Sequence, residues 1–142
     1  MTSDQQHKIA TLLANNQFCV VATNSSANAP ESAVVAFSST PEFEIVFGSF
    51  KDTRKNQNLS KDARVSIVIG WDNSTTLQIE GEAIRLMGEE RARLEDAHCI
   101  KNELSNKYRN DARQEYFKVV PWWIRYSNFS VDPQEIWEVP MK

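Results

Sequence analysis

The stretch that most restricts the fold runs from Phe47 to Leu86: FGSF-KDTRKNQNLSKDARVSIVIGW-DNSTTLQIEGEAIRL. A strand ends in a small-residue turn, a short helix opens on Thr53-Arg54-Lys55, and two more strands follow with only Asp72-Asn73-Ser74-Thr75 between them. So tight a connection suits antiparallel neighbours, whereas parallel strands need a long crossover. The helix opening is electrostatically odd. Arg54 and Lys55 face the positive end of the helix dipole, at a cost of roughly 0.3–1 kcal/mol each when exposed. An anion there reverses the sign, because backbone N–H groups and both cations converge on it, and a phosphate is the obvious candidate. The plainer reading is a solvated, capped turn with Asp52 or Thr53 as N-cap.

The rest of the chain extends the same pattern. Ser3-x-x-Gln6 predicts a capping box, and Ile9, Leu12 and Leu13 predict a short amphipathic helix over 4–15. Strands are expected over 18–23, 32–38, 43–49, 64–71 and 76–86, the last with a slip in alternation near Gly81 that suggests a bulge. Leu94, Ala97, Ile100 or Lys101, Leu104 and Tyr108 recur at helical spacing, so 89–118 reads as helix with a break near 105–110. Strands return at Trp122–Tyr126 and Glu135–Val139. Six to seven mostly antiparallel strands with flanking helices make a mainly β fold closed as a barrel. A dinucleotide-binding fold is disfavoured, because Gly48, Gly70, Gly81 and Gly88 form no G-x-G-x-x-G.

Bulk properties narrow the function. A chain of 142 residues, 41% hydrophobic and 25% charged, fits one globular domain. A net charge of -3 argues against a general binder of nucleic acid or of anionic membranes. The polar opening MTSDQQHK resembles no targeting peptide, and no apolar run approaches the roughly 20 residues that span a bilayer, so the cytoplasm is expected. Cys19 and Cys99 read as separate reduced thiols, Cys19 in the core. Two histidines, His7 and His98, are too few for a His-rich metal site. There is no G-x-S-x-G elbow and no phosphate-binding P-loop, so any chemistry belongs to a bound cofactor.

Over residues 30–86, the segments PESAVVAFSS, EIVFGSF-KDTRKNQNLSKDARVSIVI and LQIEGEAIRL resemble the pyridoxamine 5'-phosphate oxidase-like FMN-binding split-barrel proteins. The resemblance implies a split β-barrel that binds FMN, two sites per homodimer at the subunit interface. It implies that Thr53, Arg54 and Lys55 hold the 5'-phosphate, in agreement with the helix-polarity argument. Ala33, Val34, Val35 and Ala36 match the strand alongside the isoalloxazine ring, and Phe47, Gly48 and Ser49 the turn beside the ribityl chain. Gln78 matches a polar contact from the partner subunit. Trp122 and Trp123 are candidates to cover the ring, and equally candidates for core or interface.

The resemblance departs at the end. Authentic pyridoxamine phosphate oxidases carry Arg and His there to bind the substrate phosphate, whereas EIWEVPMK has neither and Arg125 is the nearest basic residue. Vitamin B6 phosphates are therefore not the expected substrate. The expectation is an FMN-dependent oxidoreductase acting on a small redox substrate. A flavin-binding stress carrier or sensor without turnover is the first alternative, and a barrel binding haem or a deazaflavin the second.

Overall fold

The computed structural model describes residues 1–141. In chain order the elements are α1 (Ser3–Ala14), β1 (Phe18–Asn24), β2 (Pro30–Ala36), β3 (Ser38–Ser39), β4 (Ile45–Phe50), α2 (Arg54–Leu59), β5 (Arg64–Ile69), β6 (Thr75–Arg85), α3 (Gly88–Lys101), a 3₁₀ turn (Glu103–Tyr108), β7 (Gln114–Asn128) and β8 (Glu135–Pro140). The strands form one sheet in the order β2-β1-β5-β6-β7-β4-β3, with β8 added along β7. Every pairing is antiparallel. The sheet curls into a half-barrel, and Ile9, Leu13, Phe37, Phe47, Ile67, Ile79 and Ile124 fill its concave side with α1 packed on it.

The 15-residue β7 organises the curl. Its first half pairs with β4, its second half with β8, and nearly its whole length with β6. Where β6 meets β7 the register slips between Glu80 and Gly81: Glu80 opposes Trp123, Gly81 opposes Pro121, and Trp122 is the extra residue. That is the expected bulge. A side chain at position 81 would put its Cβ 2.4 Å from the Val120 carbonyl oxygen and 2.8 Å from Val119 Cγ1, so only glycine lets the strands approach this closely.

Several sequence expectations shift. The helix expected over 89–118 ends at Lys101, and Gln114–Val120 is strand. Ile100 and Leu104, read as part of an apolar helical face, are 80% and 74% exposed. In Gln114–Val120 the β-branched and aromatic residues, with ladder partners on both sides, outweigh the helical spacing. The capping box sits one residue earlier: Gln5 N–H donates to Thr2 Oγ1 at 3.1 Å, and Thr2 N–H to Gln5 Oε1 at 3.0 Å. The strand expected over 32–38 divides into β2 and the short β3, which pairs instead with β4. With β3 added, the strands among the described residues number eight against the six to seven expected.

One seam of the curled sheet is open. Among the described residues, strand β2 pairs only with β1, and past Val46 strand β4 has a ladder partner only in β7. The two lie beside each other without a ladder between them. Backbone N–H and C=O groups along this split are free to meet something else.

Candidate functional site

Three segments converge on the seam. Thr53 is the N-cap of α2: its Oγ1 accepts from Asn56 N–H at 3.4 Å and donates to the Phe50 carbonyl at 2.9 Å. It also lies 3.0 Å from Ser49 Oγ, which ties the end of β4 to the helix start. Helix α2 is anchored on both sides. Asn58 Nδ2 donates to Thr23 Oγ1 at 3.0 Å and to Glu31 Oε1 at 2.8 Å, and Asn56 Nδ2 donates to Glu115 Oε1 at 3.1 Å. Arg85 bonds the other Glu115 oxygen at 2.8 Å. Burial pushes the Glu115 carboxyl up, but the bonds from Arg85 and Asn56 and the nearby Lys51 charge outweigh it and hold it below the ordinary glutamate range.

The two cations of α2 differ. Arg54 is paired with Glu31 of β2, so its guanidinium is already committed. Lys55 is half-buried, which lowers its pKa, and it has no carboxylate partner among the described residues. Leaving a desolvated ammonium without a counter-ion costs free energy, which an anion beside it would offset.

The candidate residues of β2 alternate. Ala33 and Val35 oppose Val21 and Cys19 and share their inward face, whereas Val34 opposes Val20 and is 64% exposed on the outer face. Val35, Ala36 and Gly48 line one cavity of about 150 Å³ together with His98, Gln114 and Tyr116. Phe47 is fully buried and stacked on Phe117 at 5.7 Å, so only its backbone is available to a ligand. Gln78 and the tryptophans lie elsewhere. Gln78 sits between Val68 and Arg125 in a row that continues through Val20 to Val34, on the outer face. Trp123 follows there opposite Glu80, with its Nε1 3.4 Å from Glu138 Oε2. Trp122 borders a groove of about 300 Å³ with Pro30, Arg64 and Glu80. Within the chain the structure therefore brings together the residues of β2, β4 and α2, and leaves Gln78, Trp122 and Trp123 on the opposite face.

Four residues that sequence reasoning passed over belong to this region: Glu31, Asn58, Glu115 and His98. Glu31 and Asn58 lie in segments that carry the resemblance, but nothing local to either assigns it a partner. Glu115 lay in a segment read as helix. His98 showed its i, i+4 relation to Leu94, which places it on the buried side of α3 but not at the seam. Among the described residues no group of three or more His, Cys, Asp or Glu side chains could hold a metal ion, and no helix is long and apolar enough to cross a membrane.

An antiparallel half-barrel with an open seam between β2 and β4 defines the class of this protein as a split barrel. Residues 5–139 match the family model described as pyridoxamine 5'-phosphate oxidase, and the chain belongs to that family. No curated protein matches it significantly. Among solved structures it is similar to a haem-binding protein from Mycobacterium smegmatis (TM-score 0.85, 17% identity, 99% of this chain and 59% of that one). It is also similar to general stress protein 26 from Bacillus anthracis (0.70, 19%, 95% and 98%). A third likeness is to a protein of the pyridoxinephosphate oxidase family, related to general stress protein 26, from Clostridium acetobutylicum (0.74, 16%, 99% and 97%). At these identities the likeness is one of fold. The chain spans about three-fifths of the mycobacterial protein and nearly the full length of the other two.

Proposed function

We propose that this chain is an FMN-binding flavoprotein, a homodimer with oxidoreductase activity toward a small redox substrate. The observation that carries the reading is Lys55, a half-buried ammonium with no carboxylate partner among the described residues, on the first turn of a helix whose Thr53 cap meets Ser49 at 3.0 Å. Lys55, Thr53 and Ser49 would hold the phosphate. Arg54 joins them only by leaving Glu31. The free edge of β2 from Ala33 to Ala36 offers backbone donors and acceptors to a planar heterocycle. Bound FMN supplies hydride or electron transfer at its N5, and the protein supplies orientation and electrostatics.

A second copy belongs to the proposal. The cavity at the seam, about 150 Å³, is smaller than the 300–1,000 Å³ usual for ligand pockets, so one protomer does not enclose a flavin. The outer sheet face, with Val34 and Phe18 exposed, can pack on another copy and carry Gln78, Trp122 and Trp123 toward the partner's cofactor.

The similarity to a haem-binding protein motivates a second reading. Haem needs an axial ligand, and the residues fit it less well. His98 is buried between Ser38 and Ser105, and His7 is exposed on α1.

Titrating the protein with FMN and following flavin fluorescence tests the phosphate assignment. Lys55→Ala is expected to weaken binding by about 1.5–3 kcal/mol, the worth of a charge-assisted contact, and Arg54→Ala by less. Riboflavin, which lacks the phosphate, should not distinguish wild type from Lys55→Ala. Equal FMN affinity in wild type and Lys55→Ala would remove Lys55 from the site.

A further inference from the structure

We infer that the groove between the end of α1 and the turn joining β5 to β6 is a binding site for a small organic cation, an ammonium group covered by methyl or alkyl carbons. The Trp71 ring and the Asp72 carboxylate recognise it. The groove encloses about 360 Å³, within the roughly 300–1,000 Å³ usual for ligand pockets. It shares no residue with the cavity at the seam. Strand β5 begins just after α2 and carries the chain about 20 Å along the sheet to Gly70, at ~3.4 Å per residue. The groove therefore lies at the end of β5 remote from Lys55, and it does not rest on the flavin reading.

A glycine turn builds the groove. Gly70 has φ +76°, and a Cβ there would lie 2.8 Å from the Thr75 carbonyl oxygen, so only glycine ends β5 and turns at once toward β6. Trp71 and Asp72 follow in that turn and line the groove together with residues of α1. On the α1 side, Asn16 Nδ2 donates to the Leu12 carbonyl at 2.8 Å and closes the helix end. The buried side chains of Leu12 and Tyr126 give the groove an apolar floor.

Trp71 is 49% exposed, and its ring makes no aromatic or cation contact among the described residues. An open indole face attracts a cation through its quadrupole, more strongly than a phenyl or phenol ring does. Charge points the same way. Lys8, the one ammonium of the lining, is shared between Glu135 at 2.6 Å and Asp4 at 3.2 Å. Asp72 forms no salt bridge among the described residues. An anion entering here meets Asp72 and finds Lys8 already committed, whereas a cation gains the carboxylate and the ring together. The apolar floor suits methyl or alkyl carbons, and the Asn15 and Asn73 amides suit a hydroxyl on the cation's tail.

The test titrates the full chain with choline, and with the neutral alcohol in which carbon replaces choline's quaternary nitrogen. Saturation transfer from the protein to the methyl protons of each probe is followed by NMR, at constant ionic strength and about pH 8, where imidazole charge plays no part. Choline is expected to bind saturably at millimolar concentration, the range for so small a ligand, with the alcohol at least about tenfold weaker. Trp71→Leu should weaken choline about tenfold, and Asp72→Asn severalfold. Both residues are exposed, so neither change threatens the fold. The inference is overturned if choline gives no saturable transfer up to about 0.1 M, if the alcohol binds as well as choline, or if either variant binds choline as wild type does. FMN plays no part in the measurement, so failure of the flavin reading leaves this result standing.

Discussion

His98 shows how much one side chain's environment can matter. Its folded pKa, about 4, lies below the ordinary value of 6.5 because burial disfavours the charged ring. The unfolded chain therefore binds a proton that the folded chain refuses. Stability is unaffected above the ordinary value, falls as pH drops from about 6.5 toward 4, and levels off below. The loss expected from this one residue is about 3 kcal/mol. Urea unfolding at a series of pH values should show it as the difference between wild type and His98→Gln, the variant lacking that component. A difference that stays flat from pH 7 to 4 would mean that His98 is solvated. Thr53 and Lys55 were legible because a cap and a first-turn cation are local to the sequence. The partners Glu31, Glu115 and His98 were not, because each acts across more than 20 residues. The commitment of Arg54 to Glu31 was hidden for the same reason.

Among the elements, β6 and β7 hold the half-barrel together, and their bulge is the most sensitive point. Gly81→Ala forces a Cβ into the Val120 carbonyl, an overpacking expected to cost about 1–3 kcal/mol, measurable by denaturant unfolding. The same change at Gly88, where a Cβ meets nothing within 4 Å but φ is +62°, tests backbone strain alone. An effect at position 81 no larger than at position 88 would contradict the close-approach account. The bulge was readable because alternation fails visibly at Gly81. Five of the eight strands were also close to their expected limits, since hairpin turns and β-branched runs are short-range signals. The start of β7 was not readable. Leu94, Leu104 and Tyr108 continue a helical rhythm toward it, and only pairing with β4 and β6, distant in sequence, makes Gln114–Val120 extended. The break expected near 105–110 falls at the 3₁₀ turn that ends at Tyr108.

At the scale of the whole molecule, the half-barrel leaves two surfaces unfinished: the seam between β2 and β4, and the outer face bearing Val34. The proposed dimer completes both. Val34→Glu should convert a dimer to a monomer in sedimentation measurements, because a carboxylate desolvated at an apolar contact costs more than such a contact returns. A wild-type chain that sediments as a monomer at micromolar concentration would remove the shared site. The family was legible in residues 30–86, but the placement of Gln78, Trp122 and Trp123 on the face opposite the seam was not, since register decides which face each residue takes.

The most direct test of the central claim is the visible absorption spectrum of the protein after FMN is added and the unbound excess removed. The account predicts that wild type keeps the two-banded spectrum of oxidised flavin and that Lys55→Ala loses most of it. A colourless wild-type protein would contradict the account.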